Sequence, residues 1–196
     1  MKLLGFETTD VIASVALYLD GVCDEMLLSA EKRHAESVLP AAEELLRRHG
    51  LKTSDMDAFA VDVGPGSFTG VRIGVCLANA LGLAHGKPVI AVNSLETLAQ
   101  PFQNENAPVC ALIDARNGNG YGAVYRGGEC LVPPAACELE LFTAALSEDC
   151  RITGTAAEDR AMPRASSVVL IASGRQGEKQ VSPLYLKLSQ AERMRL

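Results

Sequence analysis

The chain has 196 residues, of which 48% are hydrophobic and 21% charged, enough for one substantial core or two small lobes that share an interface. Its net charge of −6 argues against direct binding of nucleic acid or of an anionic membrane by this chain alone. No stretch reaches membrane-spanning length without a charge, and the first residues lack the apolar core of a signal peptide. We therefore predict an ordered, cytoplasmic protein.

The first half of the chain predicts an α/β lobe. Strands are predicted over residues 2–7, 11–19 and 22–29, joined by the polar turn Thr8–Asp10 and the hairpin dipeptide Asp20-Gly21. A helix is predicted within His34–His49, where Pro40 either lies in the first turn or kinks the helix. Two more strands, 58–63 and 87–92, and two more helices, 70–85 and 95–102, complete this lobe.

The most distinctive stretch is a glycine loop between a strand and a helix. The apolar run Phe59–Val63 predicts a buried strand, and Gly64-Pro65-Gly66 forces a sharp turn after it. Ser67 and Thr69 then offer hydroxyls that can cap the helix. Such a helix N-terminus suits an anion such as phosphate, but the same glycines equally permit close packing of a tight turn. The spacing is neither that of a Walker loop nor that of a dinucleotide fingerprint.

The second half predicts a shorter lobe of related plan, so we place the domain boundary between residues 103 and 104. The polar segment Gln103–Ala107 is the predicted linker. Strands are predicted at 109–114 and 121–125 around Asn-Gly turns, and a helix at 138–146. Two short strands, 152–154 and 168–172, and an extended segment, 183–186, follow.

The cysteines and histidines form no metal-binding pattern. The six cysteines include no Cys-x-x-Cys pair, and His34, His49 and His85 are far apart. We predict no metal site and interpret the cysteines as small hydrophobic residues of a reducing compartment.

Several motifs together resemble the TsaB (YeaZ) family, which acts in the synthesis of threonylcarbamoyladenosine on tRNA. The most specific is the run Gly64–Gly74, and the supporting segments are Arg33–Pro40, Ala91–Ala99, Ile113–Arg116 and Tyr185–Lys187. Two positions depart from the family pattern. Ala35 stands where Ser is usual, and Glu7 stands where Asp is usual.

The resemblance implies an α/β fold of the actin-like ATPase (ribonuclease H-like) class, with two lobes, mixed sheets and a shortened second lobe. It implies a non-catalytic partner that binds and activates a larger paralogue, TsaD, which forms threonylcarbamoyladenosine at position 37 of tRNAs reading codons that begin with adenine. A small ATPase, TsaE, joins the pair, the protein alone forms a homodimer, and tRNA is contacted only indirectly.

The resemblance also implies the loss of a metal site. TsaD holds a metal with a His-x-x-x-His on the helix after its fifth strand, and the matching positions here are Ser94 and Leu98. We therefore expect no metal and no catalytic residue, with Ser94 as a helix cap. The alternative is a stand-alone ATPase or small-molecule kinase of the actin-like class.

In the actin-like fold the first hairpin turn and the glycine loop face the nucleotide cleft. The residues that this implies for a nucleotide-facing loop are Glu7, Thr8, Gly64, Gly66, Ser67, Thr69 and Gly70. No cofactor is expected to be required. Weak binding of ATP or ADP, by this chain or only in the complex, is compatible with such a loop.

The helices at 34–49 and 70–85 are the predicted partner surface. The second is apolar on more than one face, so both sides need cover, either from a partner or from the first helix of the same chain. The predicted interface residues are His34, Val38, Leu39, Ala42, Leu45, Leu46, Val71, Arg72, Val75 and Ala78. A cation in the first turn of a helix opposes the helix dipole, so Arg72 is predicted to be held by a carboxylate or by the partner, unless it is simply solvated.

Overall fold

A computed structural model of the chain describes residues 1–28 and 34–186. Its nine strands are β1 (Lys2–Glu7), β2 (Ser14–Leu19), β3 (Val22–Leu27), β4 (Ala58–Asp62), β5 (Val89–Val92), β6 (Val109–Asp114), β7 (Asn119–Arg126), β8 (Glu129–Glu138) and β9 (Arg151–Thr153) among the described residues. The α-helices of the same ranges are α1 (His34–Arg48), α2 (Phe68–His85), α3 (Ser94–Ala99), α4 (Leu139–Ala144) and α5 (Ala165–Ala172). Ser29, Arg33 and Lys187, which entered the sequence-based predictions, lie outside these ranges.

The first sheet has the order β3-β2-β1-β4-β5. Strand β2 runs antiparallel to β1 and to β3, whereas β4 is parallel to β1 and to β5. The predicted hairpin turn joins β2 to β3, with φ of 46° at Asp20 and 100° at Gly21, as a tight two-residue turn requires. Helices α1 and α2 cover one face of this sheet, and α5 covers the other.

The second sheet repeats most of that plan, with the order β8-β7-β6-β9. Strands β6, β7 and β8 are antiparallel, and β9 is parallel to β6. Helix α3 packs on one face of the sheet and α4 on the other. Both sheets are mixed, share the same arrangement over four strands, and lie between helices. This confirms the predicted actin-like, ribonuclease H-like fold class.

Strand β8 is absent from the sequence-based predictions, and its Pro133 and Pro134 are unusual in a strand. It is nevertheless ten residues long and pairs with β7. Proline lacks the N–H that a central strand needs, but at the edge of a sheet that donor has no partner strand to face. β8 lies at the edge of the second sheet, so both prolines are tolerated there.

The predicted strand at residues 168–172 is wrong, since these residues form most of helix α5. The run is apolar and rich in β-branched side chains, which favours a strand on local grounds. Tertiary packing decides otherwise. The face of the first sheet under α5 carries small residues, and a Cβ on Gly5 would lie 2.3 Å from Val169 Cγ1, so a helix seats closely there.

The final described segment returns to the first lobe. Helix α5 packs on β1, β2 and β4, and further along Val89 and Glu178 form a β-bridge. Leu184 N then donates to the Val63 carbonyl at 2.8 Å. The division of the chain between residues 103 and 104 stays a prediction.

Smaller differences concern the ends of elements. β2 begins at Ser14, later than predicted, and α3 ends at Ala99, where a short 3-10 turn continues to Phe102. Pro40 lies inside α1, beyond its first turn. Among the described residues, α2 is the one helix with the length and hydropathy of a membrane span, and its buried third packs on the sheet as a core helix does.

The N-terminus of α5 is held by an acidic side chain from β3. Both carboxylate oxygens of Glu25 accept hydrogen bonds, from Arg164 at 2.8 Å and from the backbone N of Ser166 at 3.1 Å.

We expect Glu25→Ala to lower the free energy of unfolding by about 1–3 kcal/mol, because it leaves helix-terminal donors unpaired. Chemical denaturation measures this. The control Glu44→Ala removes two surface ion pairs of α1, with Arg47 and Arg48, and should change stability little; equal losses in both variants would contradict the prediction.

Candidate functional site

The turn after β1 fills the space beside the glycine loop. Ser67 N donates to the Thr9 carbonyl at 2.7 Å, and Thr8 Oγ1 donates to the Gly70 carbonyl at 2.7 Å. A Cβ on Gly70 would lie 1.9 Å from the Thr8 carbonyl oxygen, and one on Gly66 2.6 Å from that of Thr9. The glycines therefore let one backbone turn pack directly against another, which was the second of the two interpretations that the sequence left open.

The start of α2 is capped as the sequence predicted. Ser67 is the N-cap residue, and its Oγ accepts a hydrogen bond from Gly70 N at 3.3 Å. Gly64 has φ of 97°, a backbone conformation that disfavours any other residue. The loop thus fixes where α2 begins.

Four of the seven predicted nucleotide-facing residues are buried, namely Glu7, Thr8, Gly64 and Gly70. The other three, Gly66, Ser67 and Thr69, are exposed. Glu7 is 0% exposed, so its carboxylate does not face an open cleft in this structure, which corrects the expected orientation. Nucleotide binding at the exposed part of the loop stays a prediction.

Glu7 is instead part of a buried polar network that the sequence did not reveal. Its Oε1 accepts hydrogen bonds from Thr9 N at 2.5 Å and from Thr9 Oγ1 at 2.6 Å. Asp62, also 0% exposed, accepts at Oδ1 from Gly64 N at 2.9 Å and from Ser94 Oγ at 2.6 Å. The second carboxylate oxygen of each, Glu7 Oε2 and Asp62 Oδ2, has no hydrogen-bond partner among the described residues.

Burial changes the ionisation of both acids. Burial, followed by the charge of Asp62, raises the pKa of Glu7 well above its usual value. Burial also raises the pKa of Asp62 to about 7, although hydrogen bonds from Ser94 and Gly64 oppose the shift. The Thr97 hydroxyl also lowers the pKa of Asp62, and it donates to the Asn93 carbonyl at 3.0 Å.

Ser94 and Leu98, the positions that the family resemblance sets against the metal-binding histidines of TsaD, have structural roles. Ser94 is buried and donates to Asp62, whereas Asn93 is the N-cap of α3 and accepts from Glu96 N at 2.9 Å. The prediction that Ser94 caps the helix is therefore corrected to Asn93. Leu98 packs in the core under the second sheet. Within residues 1–28 and 34–186, no group of three or more His, Cys, Asp or Glu side chains is arranged to hold a metal ion.

Most of the predicted interface residues lie in the core of this chain. Seven of them are at most 5% exposed and pack under the first sheet, namely Val38, Ala42, Leu45, Leu46, Val71, Val75 and Ala78. Their assignment to a surface is corrected, because a partner cannot reach them in this structure. On α2, Gly74 and Gly82 let the helix approach the sheet closely; a Cβ on Gly82 would lie 2.6 Å from Val89 Cγ2.

The other three predicted interface residues remain at the surface in part. Leu39 is exposed on α1. His34 is half-buried, and its Nε2 lies 2.8 Å from the Asp10 carbonyl oxygen. Arg72 is exposed on α2.

Phe68, Arg72 and Tyr185 form an exposed cluster, here called the aromatic–arginine patch. The Arg72 guanidinium carbon lies 3.8 Å from the centroid of the Phe68 ring, and its Nε donates to the Tyr185 hydroxyl at 2.9 Å. Both rings are 50% exposed. Among the described residues no carboxylate pairs with Arg72, so the predicted acidic partner is wrong within the chain, and two aromatic rings take its place.

The patch depends on a long-range contact that sequence reasoning missed. The segment after residue 180 runs along α2, where Asn79 Oδ1 accepts from Val181 N at 3.0 Å and Asn79 Nδ2 donates to the Val181 carbonyl at 2.9 Å. This docking brings Tyr185 beside Arg72. Farther along the same helix Leu83 is 84% exposed, so the outer face of α2 carries apolar surface at both ends.

Comparison with known proteins gives the family. The family model of TsaD, tRNA N6-adenosine threonylcarbamoyltransferase, matches residues 22–142, which is more than half of the chain. The protein belongs to this family.

Individual relatives narrow the assignment. The chain is 38% identical over 131 residues to the tRNA threonylcarbamoyladenosine biosynthesis protein TsaB of Escherichia coli K12, covering 66% of this chain and 57% of that protein. It is 35% identical over 127 residues to TsaB of Bacillus subtilis 168, covering 64% and 56%. The chain thus spans a little over half of the length of these curated relatives.

Two solved structures from Pseudomonas aeruginosa agree with this result. One is YeaZ, with a TM-score of 0.80 and 29% identity over 94% of this chain and 99% of that one. The other, described as similar to the peptidase YeaZ, has a TM-score of 0.83 and 29% identity over 95% and 99%. Within the family, the chain is a member of the TsaB (YeaZ) branch, as its motifs predicted.

Proposed function

We propose that this protein is a non-catalytic subunit that binds and activates TsaD in the formation of threonylcarbamoyladenosine at position 37 of tRNAs reading codons that begin with adenine. One observation carries the proposal. At the two positions that match the His-x-x-x-His of TsaD, this chain has a serine that donates to a buried aspartate and a leucine in the core. Neither supplies a metal-binding nitrogen, so the family fold is kept without that metal-binding pair.

The proposal includes no resident nucleotide for this chain. Its support is the packing of Thr8 and Thr9 against the glycine loop, where a phosphate would otherwise contact backbone N–H groups. Any binding of ATP or ADP here would be weak, or would need the complex. The ATPase TsaE, which joins the pair, is the expected source of nucleotide hydrolysis.

The partner surface that we propose is the outer face of α2 together with Leu39 of α1. Its support is the exposed aromatic–arginine patch and the exposed Leu83, since aromatic and arginine side chains are enriched in the energetic centres of interfaces. The same face would serve a homodimer in the absence of TsaD, so binding of TsaD would compete with self-association. The net charge of −6 supports indirect contact with tRNA in the cytoplasm.

Size-exclusion chromatography with light scattering tests the proposal directly. We expect the protein alone to run as a dimer and to form a one-to-one complex with TsaD of the same cell, with TsaE added to it when ATP is present. Each isolated protein serves as its own control. If the two proteins never co-migrate and this chain alone hydrolyses ATP, the partner role fails, and the chain is a stand-alone ATPase or kinase.

A further inference from the structure

Glu7 and Asp62 stand side by side on neighbouring strands. β1 and β4 are parallel, and Phe6 pairs with Val61, so the next pair in register is Glu7 with Asp62. Residues paired in this way lie about 4.8 Å apart, with side chains on one face of the sheet. Two carboxyl groups are therefore neighbours inside the protein, and both are 0% exposed.

No cationic side chain neutralises the pair among the described residues. On the turn after β1, Asp10 adds negative charge near Glu7, and Glu96 of α3 does so near Asp62. The charge of Arg164, before α5, interacts with that of Glu7, but Arg164 donates its hydrogen bonds to Glu25. Arg72 of α2 points outward to the patch, and His34 of α1 contacts the Asp10 carbonyl. Two adjacent carboxylates in such surroundings cannot both be ionised at low cost.

One proton resolves both the charge and the hydrogen-bond deficit. A protonated carboxyl is a donor as well as an acceptor. A proton on Glu7 Oε2 would make that oxygen a donor toward the neighbouring carboxylate, whose Oδ2 also lacks a partner. The remaining oxygens keep the hydrogen bonds that they accept from Thr9, Gly64 and Ser94.

We propose that Glu7 and Asp62 share one proton at neutral pH, and that this proton holds the glycine loop against the turn after β1. The link to the loop is direct on both sides. Glu7 orients Thr9, whose carbonyl accepts from Ser67 N at the start of α2, and Asp62 accepts from Gly64 N. When the proton leaves, repulsion between the two carboxylates loosens both attachments, and with them the end of α2 that carries Phe68 and Arg72.

The sign of the pH dependence follows from the direction of the shifts. In the unfolded chain both acids lose their protons near pH 4, whereas in the folded chain their pKa values are raised, that of Asp62 to about 7. The stabilisation is complete below the unfolded pKa and declines as pH rises toward the folded pKa. Between about pH 4.5 and 7 the folding equilibrium constant should fall by up to about tenfold per pH unit for one retained proton.

The test counts the protons released on unfolding at pH 6.5, by calorimetry in buffers of different ionisation enthalpy. We expect about one more proton from the natural protein than from Glu7→Gln or Asp62→Asn, because each amide mimics the protonated acid and supplies an N–H donor in place of its O–H. Asp149→Asn, which changes an exposed acid between α4 and β9, is the control and should release as many protons as the natural protein.

Infrared difference spectroscopy gives a second readout on the natural protein, so the proposal stays testable even if an amide variant fails to fold. At pH 6.5 the spectrum should contain the carbonyl band of a buried carboxylic acid, and the band should be lost as the pH is raised toward 9. Absence of both the extra proton and the band would overturn the proposal. So would a stability that rises with added Mg²⁺ or K⁺ at pH 6.5, because a cation would then neutralise the pair.

Discussion

Gly70→Ala should lower the free energy of unfolding by about 3 kcal/mol or more, at or above the upper end for overpacked sites. The new Cβ would lie 1.9 Å from the Thr8 carbonyl oxygen and 3.1 Å from the carbonyl carbon. Both are backbone atoms in a turn that the buried Thr8 and Thr9 side chains anchor. No rotamer change can relieve this clash, so the turn must move away from α2.

Urea denaturation followed by circular dichroism measures the effect. The matched control is Gly174→Ala, where the nearest heavy atom to the added Cβ is 3.9 Å away, and its stability should stay within about 0.5 kcal/mol of the natural protein. If Gly70→Ala were as stable as the control, the glycine loop would not be a packing device. Binding of an anion would then be the better explanation for the glycines of this loop.

On the proposed partner surface, Arg72→Ala should weaken binding to TsaD by about 10- to 100-fold, the effect of losing an interface hot spot, where arginine is enriched. The ring of Phe68 and the Tyr185 hydroxyl hold the guanidinium in place before any partner arrives. Little side-chain freedom is therefore lost on binding. Arg72 is exposed, so its removal should barely change the stability of the free protein.

Titration calorimetry at fixed salt measures this affinity. Arg126→Ala, which removes an exposed arginine at the end of β7 in the second sheet, is the control and should leave affinity within about twofold. Unchanged affinity of the Arg72 variant would remove the patch from the interface. If Phe68→Ala also left the affinity for TsaD unchanged, the start of α2 would lie outside the interface.

Local patterns in the sequence predicted most elements of the first lobe. The hairpin at Asp20-Gly21, the strand before the glycine loop and the Ser67 cap depend on neighbouring residues, so they are readable without the fold. Helix α5 is different, because its apolar sequence fits either type of element. The small residues on the sheet beneath it decide for a helix, and they are distant in sequence.

The candidate site was less predictable for the same reason. The periodicity of α2 correctly marks Val71, Val75 and Ala78 as one face, but it cannot say whether that face meets the sheet of its own chain or a partner. The pairing of Glu7 with Asp62 follows only from the parallel register of β1 and β4. The contact of Arg72 with Tyr185 spans 113 residues, and no local rule connects them.

The return of α5 to the first sheet sets the order in which a nascent chain can mature. Synthesis runs from the N-terminus, so β1 to β5 leave the ribosome long before residues 165–172, which cover one face of their sheet. The strands of the second sheet are all made by residue 153, earlier than that cover. Until α5 arrives, the apolar face of β1, β2 and β4 is open to other chains or to a chaperone, so premature termination before α5 would leave a fragment prone to aggregate through this face.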